Sequence, residues 1–173
     1  RSDNPGQILC FLRDITERKR AEHELRKNTQ LARLLEHLAR TVNEAVSPEA
    51  AMEICLRRIC EHGNWTLGHI GAFARGQSTG PMETSFWHPR DCAGRYAEFI
   101  GYSDSFSYNV PTGRFTGAAL RERSPVWIGD LSRLGGFRRI AVAVEHGLRA
   151  GLALPVIVNG EVTAFLEFFA DTP

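Results

Sequence analysis

The chain has 173 residues, 43% of them hydrophobic and 24% charged, which suits one well-buried domain plus an appendage but not two complete domains. A formal net charge of +1, from 21 basic and 20 acidic residues, without a basic stripe interleaved with aromatics, excludes an electrostatic nucleic-acid footprint. No apolar run reaches the roughly 18 residues of a bilayer span and no signal peptide opens the chain, so a cytoplasmic location without membrane contact is expected of this stretch, whatever a longer parent carries upstream.

The first element is a short apolar strand from Ile8, which gives way at Asp14-Ile15-Thr16-Glu17-Arg18-Lys19-Arg20-Ala21-Glu22 to a charged helix. Thr16 or Asp14 is placed to cap that helix. Along it Ala21, Leu25, Asn28, Ala32, Leu35, Ala39, Val42 and Val46 alternate steps of four and three, a heptad seam with one polar interruption. The seam predicts a homodimer in which Asn28 sets register; a single amphipathic helix packed on its own domain is the alternative. Leu31, Leu34 and Leu38 widen the stripe and give the lower half of the helix a second packing surface. Ser47-Pro48-Glu49 is a fresh helix start, and Gly63 is expected to supply the left-handed residue that ends that helix.

Trp65 to Phe73 reads as a strand, with Gly68 and Gly71 allowing close backbone approach. Arg75 to Ser85 reads as a surface loop and Phe86-Trp87 as a short strand. Tyr96 to Phe106 is compatible with a helix or a turn-broken segment. Thr116 to Arg123 is a short helix, Pro125 to Ile128 an edge strand, and Phe137 to His146 a helix closed by Gly147. Leu152 to Val158 and Glu161 to Phe169 flank Asn159-Gly160, a strong hairpin signal. On the last strand Val162, Ala164, Leu166 and Phe168 share a dry face, and Glu161, Thr163 and Glu167 share with Phe165 and Phe169 a face expected to be only partly covered. The four cysteines, Cys10, Cys55, Cys60 and Cys92, fall at no metal-ligand spacing and read as reduced thiols; no metal site is expected.

Two stretches carry family resemblances. Asp14 to Glu22 resembles the D-I-T-E-R-K-x-A-E signature that ends PAS sensory domains and leads into a signalling helix. From Gly63-Asn64-Trp65 through Gly117-Ala118-Ala119-Leu120, Ser124 to Leu131, Gly147-Leu148-Arg149-Ala150, Leu154-Pro155-Val156 and Gly160-Glu161-Val162 to Phe165-Leu166-Glu167-Phe168-Phe169, the chain resembles a GAF domain. The resemblance implies an α+β fold: a GAF-like antiparallel sheet of five or six strands with helices packed on it, behind a long N-terminal coiled-coil-type signalling helix. The expected organisation is residues 1–16 as the terminal strand of a truncated PAS domain, 17–46 as linker helix and 47–173 as GAF domain.

The family's ligand classes can be tested residue by residue. Gly135-Gly136-Phe137 keeps the Phe of the cyclic-nucleotide motif, but Ala141 and Val142 stand where its acidic pair belongs. Val144 to Arg149 lacks the Cys-His of covalent bilin attachment. Haem needs an axial histidine in a roomy apolar pocket, for which His69 and His146 are the available residues, and nothing is spaced for non-haem iron. Cyclic nucleotide, bilin and haem are each disfavoured, leaving an unidentified small ligand. The family's pocket implies Trp87, Phe106, Phe115, Trp127, Phe137, Ala141, Glu145 and Arg149 as lining, although aromatics of this kind also simply fill cores. Arg149 suits an anionic ligand or a pair with Glu145.

No nucleophile elbow, phosphate loop or metal cluster appears, so no catalysis is expected of this stretch. The resemblance implies a sensory or regulatory module between an upstream PAS domain and a downstream output domain. A sensor histidine kinase is the first expectation for the parent. The alternative is a ligand-free dimerisation and relay domain of a diguanylate cyclase or phosphodiesterase.

Overall fold

The computed structural model describes residues 16–77, 80, 82–89, 93–105, 113–135 and 138–172. The strand expected from Ile8 to Ile15, and the side chains of Phe106 and Phe137, lie outside them. The chain forms two compact units, residues 1–37 and 38–173.

Helix α1 runs unbroken over Thr16–Glu44, with the acid Glu17 in its first turn. Arg18 Nε reaches Glu22 Oε1 at 2.9 Å one turn on, a surface pair of small energetic weight. Leu25, Leu35 and Val42 are 68%, 57% and 54% exposed, and Ala21, Asn28, Ala32 and Ala39 are exposed as well, whereas Leu34 and Leu38 are half-buried. The heptad seam is therefore open along its length.

Ser47 separates α1 from α2 (Pro48–Gly63), as its sequence predicts: its Oγ accepts the Ala50 N–H at 3.1 Å and Pro48 takes the first helical position. The left-handed residue that closes α2 is Asn64, with φ 55°, rather than Gly63. Asn tolerates that conformation through its short polar side chain. Gly63 is kept bare for another reason, because a Cβ there would lie 2.5 Å from Trp65 Nε1.

The sheet has five antiparallel strands, β1 (Leu67–Phe73), β2 (Met82–Pro89), β3 (Val126–Ile128), β4 (Ala150–Val158) and β5 (Glu161–Ala170), in the order β2-β1-β5-β4-β3. β2 is longer than its aromatic pair suggests, because its register against β1 extends from Leu67↔Pro89 to Phe73↔Met82. The β4–β5 turn has φ 51° at Asn159 and φ 80° at Gly160, the conformation a two-residue hairpin of the strand's own twist requires. Among the described residues the domain also has three helices, α3 (Ala93–Asp104), α4 (Thr116–Glu122) and α5 (Arg138–Glu145), and a 3-10 turn at Leu131–Arg133. Tyr96 to Asp104 is thus helical, and Gly147 ends the α5 segment with φ 87°.

Alternation along β1 and β5 divides the core. Leu67 and Phe169 point to one face, into a cluster with Tyr96, Phe99, Phe115 and Leu131. Ile70 and Phe168 point to the other, against Leu56 and Cys60 of α2. The face of β5 expected to be covered in part is exposed at Glu161 and half-buried at Thr163, but it closes completely over Phe165, Glu167 and Phe169.

At the α2 side the approach is tight: a Cβ on Gly68 would lie 2.4 Å from Cys60 Sγ and 3.0 Å from Leu56 Cδ1. Gly68→Ala is expected to lower the unfolding free energy by about 1–3 kcal/mol in urea titrations, and adding Cys60→Ala to recover part of the loss. Strictly additive costs for the two substitutions would show that this contact is not the cause.

Candidate functional site

The inner face of the sheet, between β1, β2 and β5 and helices α3, α4 and α5, holds a buried charged network centred on Glu167. Glu167 stands at an inward position of the central strand, flanked by Phe165 and Phe169 on the same face, with no exposed surface. Its Oε1 accepts from Thr116 Oγ1 of α4 and from Arg139 Nη1 of α5 at 2.9 Å. Its Oε2 accepts from Arg139 Nη2 at 2.5 Å and from His69 Nδ1 of β1 at 2.9 Å. Arg139 Nε donates to Ser103 Oγ at 2.9 Å, and Ser103 donates in turn to the Phe99 carbonyl at 2.7 Å. The guanidinium carbon lies 5.1 Å from the Phe99 ring centre and 5.6 Å from that of Phe169, within cation–π range of both.

From His69 the network turns outward. Its Nε2 lies 3.0 Å from Ser85 Oγ on β2, and Ser85 Oγ lies 2.9 Å from Asp104 Oδ1 at the end of α3. Trp87 Nε1 donates to the same Asp104 oxygen at 2.8 Å. The indole of Trp87 stacks on the imidazole, centroids 3.8 Å apart and planes 2° apart. The order Ser85, His69, Glu167 is that of a nucleophilic triad, but here Asp104 competes with the imidazole for the serine proton, which works against a serine nucleophile.

Burial by itself would raise the Glu167 carboxyl; Arg139 and His69 reverse this and hold it down at about 2, against an ordinary 4.5. Burial of the ring depresses His69 below its ordinary 6.5, a tendency Arg139 reinforces and Glu167 and Asp104 oppose. At neutral pH the imidazole is therefore uncharged. Because the ionised Glu167 can only accept, Nδ1 carries the hydrogen.

The structure scatters the residues expected to line a pocket. Trp87 and Phe115 do lie on the inner face, Trp87 beside His69 and Phe115 buried against Phe169. Trp127, opposite Leu152 in the β3–β4 register, is on the other face, edge-on to Trp65 at 5.5 Å, and is 58% exposed. It borders a surface groove of about 570 Å³ with Asp130 and Arg133. Ala141, Glu145 and Arg149 are exposed, and among the described ion pairs Arg149 and Glu145 do not meet. Phe106 and Phe137 lie outside the described residues. His69 is no candidate for an axial ligand, since Glu167 and Ser85 engage its two nitrogens; His146 Nε2 faces Glu98 Oε2 at 3.1 Å. Among the described residues, no three His, Cys, Asp or Glu gather to hold a metal.

Glu167, Arg139 and Thr116 were missed as a site. The available signal was a carboxylate at an inward position of the apolar run Phe165 to Phe169, together with a histidine at an inward position of β1.

Glu167 titrates near 4.5 when unfolded and near 2 when folded. Its ionised form therefore contributes on the order of 3 kcal/mol above about pH 5, a contribution lost as pH falls toward 2. The depressed His69 acts in the same direction, costing stability as pH drops below its ordinary 6.5. Urea titrations between about pH 3 and 8 should show stability falling with acidification, and Glu167→Gln should flatten the slope below about pH 5. At neutral pH, Glu167→Gln and Arg139→Met should each cost about 3–5 kcal/mol, and the double substitution less than their sum.

Set against known proteins, residues 45–173 match the model of the GAF domain family. No curated protein matches the chain. Among solved structures, the chain is similar to the GAF domain of a phosphoenolpyruvate-protein phosphotransferase from Coxiella burnetii, at 17% identity and TM-score 0.60, covering 83% of this chain and 79% of that one. It is similar to the A. aeolicus Nlh2 GAF domain in an inactive state, at 14% identity and TM-score 0.59, covering 84% and 82%. It is also similar to the free methionine-R-sulfoxide reductase of Neisseria meningitidis in complex with its substrate, at 15% identity and TM-score 0.56, covering 80% and 72%. At these identities the likeness is one of fold.

Proposed function

The chain belongs to the GAF domain family over residues 45–173, and on that premise we propose that it is a cytoplasmic regulatory module of a bacterial signal-transduction protein, relaying the state of an upstream PAS domain through a dimer paired along α1. The observation that carries this reading is the open seam: a 29-residue helix with Leu25, Leu35 and Val42 exposed at heptad spacing. A polar solvent face would not repeat apolar residues at that period, and two copies packed seam to seam would cover them. The parent is a sensor histidine kinase in this reading, supported by the resemblance of Asp14 to Glu22 to a PAS-terminal signature.

The inner face favours relay over a preformed interior ligand site, because His69, Glu167, Arg139, Phe99 and Phe115 occupy the described part of it themselves. A small ligand would then engage its outer end, beside Trp87 and Asp104. Reduction of a substrate, the activity named for the sulfoxide reductase, needs a two-electron donor such as a thiol. Among the described residues, Cys55 and Cys60 are both on α2, on the opposite side of the sheet, and burial pushes the Cys60 thiol up to about 12. A regulatory role therefore fits the described residues better than that chemistry.

Leu35→Asp, placing a charge in the seam, is expected to convert a dimer of this chain to a monomer by light scattering, with near-ultraviolet circular dichroism of the GAF portion retained. A dimer that persists would overturn the pairing along α1. Thermal-shift screening of the wild-type chain against a library of small metabolites tests the ligand separately: a compound that binds at the outer end should raise Tm, and Trp87→Ala should abolish the shift.

A further inference from the structure

Ser85 has one hydroxyl proton and two acceptors for it. His69 Nε2 lies 3.0 Å from Ser85 Oγ and Asp104 Oδ1 lies 2.9 Å from it. With Nδ1–H committed to Glu167, a neutral His69 offers Nε2 only as an acceptor. The Ser85 proton then satisfies either the imidazole or Asp104, and whichever it leaves faces the serine oxygen lone pair to lone pair. An imidazolium resolves the conflict: Nδ1–H donates to Glu167, Nε2–H donates to Ser85 Oγ, and the Ser85 hydroxyl donates to Asp104.

We propose that a proton on His69 sets a latch between β2 and the C-terminal end of α3, open when the imidazole is neutral and closed when it is protonated. In the open state the Ser85 hydroxyl turns to Nε2, and Asp104 Oδ1 keeps the Trp87 indole N–H. In the closed state one proton is taken up and Asp104 gains the serine as a second donor, so that α3 is tied to β2 through both Ser85 and Trp87. This inference rests on the hydrogen-bond geometry and does not require the ligand or the dimer.

The charges around the ring allow both states. Among the described residues, those facing or bearing on His69 are Glu167 from β5, Arg139 from α5 and Asp104 from α3, with the neutral Ser85 and Trp87 from β2; α4 contributes Thr116, on the far oxygen of Glu167. The neutral state leaves two carboxylates against one guanidinium, and protonation brings the group to electrical balance. The stacked indole also favours a cation in the ring it covers. Opposing these, burial of the ring depresses its proton affinity, so the transition lies below the ordinary 6.5 of a histidine.

The test is nitrogen-15 NMR of the full chain labelled in histidine, with His69→Asn used only to assign the resonances. His69 is expected to carry its hydrogen on Nδ1 at pH 7 and to become doubly protonated on acidification while the domain is still folded. Amide exchange in the last turn of α3, residues 101–104, measured relative to β5 so that global stability cancels, should slow about threefold to tenfold across that titration. In Asp104→Asn, a surface substitution compatible with folding, the His69 midpoint should fall and the change in relative exchange should vanish. The proposal is overturned if His69 carries its hydrogen on Nε2 at pH 7, or stays neutral until the domain unfolds. It is equally overturned if it titrates with no change in the relative exchange of α3, or if Asp104→Asn leaves that change intact.

Discussion

An ionised carboxylate with no access to water is the constraint from which the rest of this domain follows. Leaving Glu167 charged in the middle of the central strand costs several kcal/mol in desolvation unless its oxygens are filled with donors. Among the described residues they are filled from three directions, by Thr116 on α4, Arg139 on α5 and His69 on β1. Two of the donors are themselves held: Arg139 by Ser103 and two aromatic rings, His69 by Ser85 and the stacked indole of Trp87. One charge in β5 thereby fixes where the inner-face helices can sit and which rotamers they present. Hydrophobic packing alone would tolerate small slides of α3, α4 and α5 over Phe99, Phe115 and Phe169. Directional bonds to one carboxylate do not.

The same network joins a dry interior to the surface. Its inner end is a bidentate ion pair whose protonation is far from neutrality, and its outer end, Asp104 with Ser85, is open to solvent. His69 stands between them. That placement couples the position of α3 to the chemistry at the domain's outer edge, which is what a regulatory domain needs: two arrangements of one element separated by a small energy difference. α1 is a long helix whose apolar seam is uncovered in the single chain, the surface on which the proposed dimer would pair. An isolated helix of mixed polarity gains little from propensity, so its stability is expected to come from what packs along that seam.

Sequence and structure agree best where local chemistry leaves no choice. Ser47-Pro48 starts a helix because a side-chain acceptor and a missing N–H suit that position in any context. Asn159-Gly160 makes a hairpin because both residues adopt positive φ at little cost. The spaced apolar and glycine pattern from Gly63 to Phe169 identified the family, and the family model covers residues 45–173. The failures have a common cause. Trp127 was expected to line the same pocket as Trp87, but β3 pairs with β4 in a register that turns it to the α2 side. Gly63 was expected to cap α2, but the bulk of Trp65 required its missing Cβ and Asn64 took the turn. Glu167 was expected on a half-covered face, as a carboxylate with no visible partner should be.

From residue order alone, then, came most of the elements, the family and the apolar period of α1, all of which depend on periodicity and on neighbours within a few positions. The site came from tertiary structure, because its contacts join residues far apart in the chain: Glu167 meets His69 across 98 positions, Thr116 across 51 and Arg139 across 28. A local pattern can mark Glu167 and His69 as inward polar residues, but it does not say that they meet. Whether a buried glutamate is a liability or the centre of a fold is settled by the charges that folding brings to it.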